Sequence, residues 1–181
     1  LLTVEGADFL AGDIANVAGA FRDGVRSITL VHYRPNEVGD IQTAPPVAAG
    51  LPPLGADVIR EMNRLGMVVD LAHASEDTAA AALSVSNAPV MCSHTHVNGR
   101  GATHPRFISM DLAKEISRRG GVIGAWPAGI GMTTLDEYVD RLGIRISGPQ
   151  QLAGQLSGGN QQKISLAKWL AADCTVLVID E

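Results

Sequence analysis

The chain has 181 residues, of which 46% are hydrophobic and 18% are charged, and its formal net charge is -5. This composition is typical of a globular α/β protein with one ordinary hydrophobic core. The acidic balance argues against a nucleic-acid partner or an anionic membrane surface, because phosphate binding needs clustered lysine and arginine side chains. No run reaches the roughly 18–20 apolar residues that a membrane-spanning helix needs.

The cysteines and the first residues bear on the expected compartment. Cys92 and Cys174 both lie in apolar runs, and we interpret them as buried core thiols rather than as a disulfide or a nucleophile. The chain opens on LLTVEG, with no initiator methionine and no signal peptide, as if it began inside a domain. A reducing, cytoplasmic location is therefore the default expectation, and a leader or anchor would lie in missing sequence.

In chain order, helix-like segments alternate with short, branched, apolar runs that are typical of buried strands. The pattern predicts a helix over 7–22, a strand over 25–32 and a proline-rich loop over 34–53. It continues with a helix over 55–65, a strand over 67–73, a helix over 76–83 that Ser75 caps, and a strand over 89–94. A helix over 110–119 that Ser109 caps, a strand over 121–126 and a helix over 135–142 complete the series.

Alternating strands and helices of these lengths predict an α/β fold in which parallel strands are joined by helical crossovers. Either a closed barrel or an open doubly wound sheet fits this order. Near residues 142–150 the alternation stops and a polar, turn-like stretch follows. We therefore predict a boundary that separates residues 1–142 from residues 143–181.

Three histidines occupy the same position in successive units, since His32, His73 and His94 each end a strand-like run. In parallel α/β folds the carboxyl ends of the strands form one face, and active sites gather there. Imidazole is the commonest metal-binding side chain, so the three histidines predict a metal site at that face. His96 and His104 lie in the following loop, and we interpret both as exposed residues without a direct role.

Residues 1–142 resemble the membrane dipeptidases, also called renal dipeptidases, which are zinc-dependent barrel enzymes. The matching pieces are VEGADFL, GVRSITLVHYRPNEVGD, LGADVIREMNRLGMVVDLAHAS, PVMCSHTHVNGR and HPRFI, in that order. The resemblance implies an incomplete (β/α)8 TIM-type barrel of the metallo-dependent hydrolase kind. It also implies a zinc-dependent dipeptidase, which hydrolyses dipeptides with a metal-activated water.

The resemblance also implies roles for particular residues. Glu5 matches the carboxylate that bridges two zinc ions, and His73 and His94 match the two histidine ligands of one of those ions. His32 matches the histidine that contacts the substrate and helps to stabilise the tetrahedral intermediate, so Glu5 and His32 are the candidate catalytic residues. Arg106 matches the arginine that binds the substrate carboxylate, for which a guanidinium offers two parallel hydrogen bonds.

The sequence departs from the family at the second metal ion. That ion takes a His-x-Asp pair upstream of the bridging glutamate and an aspartate from an Asp-Phe-Asp-Gly type run, and neither occurs here. We therefore expect at most one zinc ion and a truncated enzyme whose own activity is open, with a non-catalytic fusion or remnant as the alternative. Asp70, three residues before His73, is interpreted as a structural carboxylate. A dipeptide is the expected partner, and a homodimer is compatible with the resemblance.

The last segment resembles a different class of protein. LSGGNQQK is similar to the signature motif of ABC transporter ATPases of sugar importers, and VLVIDE is similar to a Walker B strand. The matching positions are Ser157, Gly158, Gly159 and Gln161 in the signature motif and Asp180 and Glu181 in the Walker B strand. The resemblance implies that Ser157, Gly158 and Gly159 contact the γ-phosphate. It also implies that Asp180 holds Mg²⁺ and that Glu181 is the catalytic base.

No G-x-x-x-x-G-K-[ST] phosphate-binding loop occurs in the chain, so we expect no independent ATP hydrolysis. ATP and Mg²⁺ would bind only if this segment were completed by other residues. The chain is thus interpreted as a join of two unrelated fragments. An ATP-binding subunit fragment for sugar import is the third functional hypothesis.

Overall fold

The computed structural model describes residues 2–98, 104–125, 143–147 and 153–171. The described strands are β1 (Leu2–Glu5), β2 (Val25–Thr29), β3 (Val68–Asp70), β4 (Met91–Val97), β5 (Phe107–Ile108) and β6 (Val122–Ala125). The described α-helices are α1 (Ala15–Arg22), α2 (Pro53–Leu65), α3 (Glu76–Val85), α4 (Met110–Arg118) and α5 (Gly158–Ala171). Short 3-10 helices occupy Ala7–Leu10 and Ala153–Gln155.

The strands form one parallel sheet in the order β1-β2-β3-β4-β5, and β6 also pairs with β4. Helices α1, α2 and α3 lie in the connections between successive strands, which is the crossover that parallel pairing needs. The predicted α/β fold with a parallel sheet is confirmed. All the carboxyl ends therefore lie on one edge of the sheet.

The core lies between the sheet and the helices that cover it. Ile28 of β2, Val69 of β3 and Cys92 of β4 are each no more than 1% exposed, and Val58, Ile59 and Met62 of α2 are fully buried. Burying one such aliphatic side chain contributes roughly 1.5–3 kcal/mol. Cys92 is a buried thiol, as predicted, and burial raises its pKa, whereas Cys174 lies outside the described residues.

The helix ends follow the local chemistry of the sequence. The Ser75 side chain accepts a hydrogen bond from the Thr78 amide, and that of Ser109 accepts one from the Leu112 amide, so both predicted N-caps are confirmed. Helix α2 begins two residues before its predicted start, because Pro53 fits the first turn of a helix. It ends at Gly66, whose left-handed backbone (φ 71°) closes the last turn.

Several boundaries differ from the prediction. The helix predicted over 7–22 is split, because Ala11 and Gly12 adopt left-handed φ values of 49° and 77° between the 3-10 helix and α1. The strands β1 and β5 were not predicted, since each is too short to show a periodic pattern. The predicted helix over 135–142 and the strand within VLVIDE lie outside the described residues.

Strands β2 and β3 end three residues before their histidines rather than at them. The Leu30 amide still donates to the Asp70 carbonyl, and the Leu71 amide donates to the Met91 carbonyl. The residue after each of these two strands is therefore still hydrogen-bonded to the adjacent strand, and the chain turns only beyond it. Within the described part of the chain, no helix is both long enough and apolar enough to cross a membrane.

Candidate metal centre

Four side chains from four neighbouring strands meet at the carboxyl edge of the sheet. Oε1 of Glu5 lies 2.9 Å from Nε2 of His73 and 3.4 Å from Nε2 of both His32 and His94. The Nε2 atoms of His73 and His94 are 2.9 Å apart. The structure thus brings together the glutamate and the three histidines that the sequence singled out, although His94 lies within β4 rather than at its end.

The spacing of these atoms suits a metal ion. A tetrahedral zinc ion with bonds of roughly 2.0–2.2 Å places its ligand atoms about 3.3 Å apart, and the separations here are 2.9–3.4 Å. Glu5, His32 and His73 alone offer three ligand atoms within 4.8 Å of one another. His32 is as close to Glu5 as His94 is, so the geometry places its Nε2 atom among the candidate ligand atoms.

Local backbone geometry at Glu5 and His73 makes this convergence possible. Gly6, which follows Glu5, has a φ of 96°, and a Cβ atom there would lie 3.2 Å from the Cβ atom of His32. His73 itself adopts a left-handed φ of 68°. A non-glycine residue in this region costs roughly 1–3 kcal/mol, and such strain clusters at functional sites.

The electrostatic environment favours the neutral imidazole of His73. Burial and the positive charge of Arg106 lower its pKa to about 4, although its hydrogen bond with Glu5 acts in the opposite direction. A histidine must be neutral to bind a metal ion. At neutral pH, His73 is therefore in the form that a metal ligand requires.

Asp70 holds together the two strand ends that carry His73 and His94. Its Oδ1 atom accepts hydrogen bonds from the Ala72 amide at 3.0 Å and the Ser93 amide at 2.9 Å. Its Oδ2 atom accepts one from the Thr29 hydroxyl at 2.9 Å. Asp70 is only 4% exposed, so these bonds form where water cannot replace them.

Arg106 reaches the same edge from the turn before β5, although an isolated arginine in a loop would ordinarily be a surface residue. It is only 9% exposed, and burial lowers its pKa. Its Nη2 atom lies 3.5 Å from Nε2 of His73, and its Nη1 atom donates a 2.7 Å hydrogen bond to Oε1 of Gln42. A guanidinium group therefore lies beside the four converging side chains.

Gln42 was missed by the sequence reasoning. It lies in the aperiodic stretch between β2 and α2, where no spacing or motif distinguishes it from its neighbours. Besides accepting from Arg106, it donates its backbone amide to the His73 carbonyl at 2.9 Å. Only the folded chain brings this loop residue to the site.

Comparison with known proteins identifies the family. The sequence profile of "Membrane dipeptidase (Peptidase family M19)" matches residues 1–141. The chain belongs to this family. It is 36% identical over 124 residues to an uncharacterized dipeptidase of Schizosaccharomyces pombe, covering 68% of this chain and 30% of that protein. It is 39% identical over 125 residues to Dipeptidase tcpJ of Claviceps purpurea, covering 68% and 29%.

Solved structures share the fold of this chain. An amidohydrolase from Pseudomonas aeruginosa has a TM-score of 0.64 at 28% identity, covering 68% of this chain and 37% of that one. A metallo peptidase from Rhodobacter sphaeroides, liganded with a phosphinate mimic of the dipeptide L-Ala-D-Ala, has a TM-score of 0.63 at 24% identity, covering 69% and 37%. The chain spans about a third or less of the curated relatives described above.

Another solved structure resembles this chain in fold alone, but over a longer part of its length. The probable dipeptidase PvdM from Pseudomonas aeruginosa has a TM-score of 0.65 at 19% identity, and the match covers 93% of this chain and 48% of that one. The α/β architecture with a parallel sheet is therefore shared with these solved structures.

The predicted exposure of His96 and His104 is wrong for both residues. His96 is not an exposed loop residue, because β4 continues to Val97 and pairs there with β5. His96 is 6% exposed, and its ring centroid lies 4.9 Å from that of Phe107. His104 is half-buried, and its Nδ1 atom accepts a hydrogen bond from the Arg106 amide at 3.1 Å.

The predicted signature residues beyond the family match lie at the beginning of α5. Ser157 precedes the helix, and its carbonyl accepts hydrogen bonds from the amides of Asn160 and Gln161. Gly158 and Gly159 form the first turn, and the side chain of Gln161 donates to the Leu156 carbonyl at 2.9 Å. Asp180 and Glu181 of the predicted Walker B strand lie outside the described residues.

Proposed function

We propose that this chain carries part of the catalytic centre of a zinc-dependent dipeptidase. The single observation that supports the proposal most strongly is the position of Glu5, whose Oε1 atom has three imidazole Nε2 atoms within 3.4 Å. A carboxylate and several neutral imidazoles are the ligands that zinc takes in catalytic sites. Named dipeptidases among the relatives support dipeptides as the substrate class.

Each residue has a distinct role in this proposal. Glu5, His73 and His94 would hold a zinc ion, which would supply a water of lowered pKa and polarise the scissile carbonyl. His32 donates a hydrogen bond to the oxygen that becomes negatively charged when the carbonyl is attacked. Arg106 binds the carboxylate of the dipeptide through its guanidinium, which fixes the substrate next to the ligands.

Zinc titration by calorimetry, followed by a dipeptide turnover assay on the same protein, tests this proposal. We expect one zinc ion per chain, because Glu5, His73 and His94 form a single set of ligands. We also expect a large loss of zinc affinity in His73→Ala. Asp57→Asn is the matched control, since Asp57 is an exposed carboxylate on α2 paired with Arg60. Failure of the wild-type chain to bind zinc would contradict the proposal.

A non-catalytic fusion or remnant is the second candidate. Its support is that the family match covers residues 1–141 and that the LSGGNQQK string after it resembles a different class of protein. Absence of dipeptide turnover, with one zinc ion bound or none, would support it, whereas dipeptide turnover, with one zinc ion or two, would support a working enzyme. The homodimer stays a prediction, which sedimentation of the purified chain would check.

Residues 143–181 are proposed to be a separate segment that resembles an ABC transporter ATPase. The support is the LSGGNQQK string, which begins α5 and so places backbone N–H groups at a helix start, where anions bind. Because the chain has no phosphate-binding loop, we expect no measurable ATP binding by calorimetry, and micromolar affinity would contradict this. Sequencing the source DNA across codons 142–146 tests whether the two segments are truly joined.

A further inference from the structure

Gln42 connects the loop between β2 and α2 to His73 and Arg106. Its backbone amide donates to the His73 carbonyl at 2.9 Å, and its side-chain Oε1 accepts from Nη1 of Arg106 at 2.7 Å. Gln42 thus contacts both the backbone of His73, which has a left-handed φ, and the guanidinium group of Arg106. The two contacts use different parts of the residue, so a side-chain substitution leaves the backbone contact in place.

The loop around Gln42 is firmly held on both sides. Ile41 pairs with Ala74 in an antiparallel bridge, and the Ser75 amide donates to the Asp40 carbonyl at 2.8 Å. The Asp40 side chain is fully buried and accepts hydrogen bonds from three amides of the same loop, those of Val47, Ala48 and Gly50. Gln42 is therefore presented to Arg106 from a fixed backbone rather than from a freely moving one.

The chemistry of the acceptor matters as much as its position. The amide oxygen of Gln42 is neutral, so it orients the guanidinium of Arg106 without neutralising its charge. A carboxylate in the same place would form an ion pair and compete with a negatively charged ligand. An oriented cation with its charge retained is what a substrate carboxylate requires.

We propose that Gln42 is a positioning residue that sets the preference for substrates with a free carboxylate, by fixing the guanidinium of Arg106 beside His73. This inference rests on the proposed dipeptidase function, because it assigns the Arg106 guanidinium to the substrate carboxylate. Gln42 acts through Arg106 and contacts no reacting atom.

Calorimetry on the zinc-loaded 181-residue chain tests the inference, with two probes that differ at one group. The first is a phosphinate mimic of L-Ala-D-Ala with a free carboxylate, and the second is its C-terminal carboxamide. Gln42→Ala and Gln42→Glu are compared with Thr43→Ala, which removes part of an exposed side chain at the next position of the loop. Zinc affinity and the midpoint of thermal unfolding are measured for every variant.

We expect Gln42→Ala to weaken the free-carboxylate mimic about tenfold, the effect of losing one hydrogen bond to a charged group. Gln42→Glu should weaken it further, because the new carboxylate competes for the guanidinium. Affinity for the carboxamide, zinc affinity and the results for Thr43→Ala should all stay within about twofold. Equal losses for both probes, or a parallel fall in zinc affinity, would overturn the inference.

A second measurement keeps this inference separate from the dipeptidase proposal. In the metal-free chain, nitrogen-15 NMR of the Arg106 guanidinium reports its rotation, which we expect to be slow in the wild type and fast in Gln42→Ala. Unchanged rotation of the Arg106 guanidinium in Gln42→Ala would overturn the role of Gln42, regardless of whether either probe binds. Wild-type protein that shows slow rotation but binds neither probe would instead contradict the dipeptidase proposal, and the substrate preference assigned to Gln42 with it.

Discussion

Oε1 of Glu5 and Nε2 of His73 lie 2.9 Å apart, although the two residues are separated by 68 positions in the chain. Glu5 ends β1 and His73 follows β3, so the strand β2 between them sets their separation. The contact exists because all three strands are parallel and end at the same edge. A metal ion held there would link strands that are otherwise joined by backbone hydrogen bonds and by core packing.

Removal of a central ligand should abolish tight metal binding. We expect His73→Ala to lower zinc affinity by more than about 100-fold, beyond the roughly 10–100-fold typical of changes to outer partners of a ligand. Calorimetry at pH 7 measures this directly, with Asp57→Asn as the exposed control. Unchanged zinc affinity in His73→Ala would exclude the residue as a ligand.

Asp70 should matter for stability and for metal affinity together. Asp70→Ala leaves the amides of Ala72 and Ser93 and the Thr29 hydroxyl without their acceptor. Each buried group left unsatisfied costs roughly 1–3 kcal/mol. Asp70→Asn retains one carbonyl oxygen for the amides of Ala72 and Ser93, so it should be milder in both respects. Urea unfolding and zinc calorimetry measure the two effects, and equal behaviour of the two variants would show that the backbone contacts are unimportant.

Asp40 should make stability depend on pH in the acid range. Burial raises the pKa of its carboxyl, but the amides of Gly50, Val47, Ala48 and Ala49 outweigh that effect and lower it below the ordinary 3.8. A lowered folded-state pKa contributes stability that is present above the ordinary value and is lost as the pH falls through the folded value.

The difference in unfolding free energy between wild type and Asp40→Asn should therefore shrink as the pH falls below about 4. Urea unfolding at a series of pH values measures it. Asp57→Asn, at an exposed position, should show a much smaller change over the same range. A difference that grows toward acid pH would contradict the protective role of the loop amides.

Truncation of a core side chain should be costly where the helix packs on the sheet. Ile59 of α2 is fully buried, and Ile59→Ala should destabilise the fold by roughly 2–5 kcal/mol through lost burial and an unfilled cavity. Val47, which is 81% exposed, provides the control, and Val47→Ala should change stability by less than about 0.5 kcal/mol. Chemical denaturation measures both, and a cost for Ile59→Ala near that of the control would place α2 outside the cooperative core.

Much of the fold could be predicted because it depends on local pattern. The apolar runs that precede His32, His73 and His94 indicate buried strands, and the serines before α3 and α4 indicate their first residues. Parallel pairing then follows from the alternation of strands with helices. That reasoning sufficed to place three histidines at one edge, and the family resemblance added Glu5 and Arg106.

Other features were decided by contacts between distant residues. His96 is buried because Phe107 and Ile108 pair with the end of β4, and a two-residue strand has too few residues to show a period. Gln42 reaches Arg106 only because the loop between β2 and α2 folds back along the turn of His73.

The sequence by itself therefore determined the alternation of strands and helices, the family and the residue types of the centre. These features depend on the types of residue and on their local order along the chain. The tertiary structure decided how close those side chains lie, which loop residue orients the guanidinium, and which backbone is strained. Distances of 2.9–3.4 Å between Glu5 and the three imidazoles depend on strand register and on turn geometry. Register and turn geometry are fixed only when all the strands pack together.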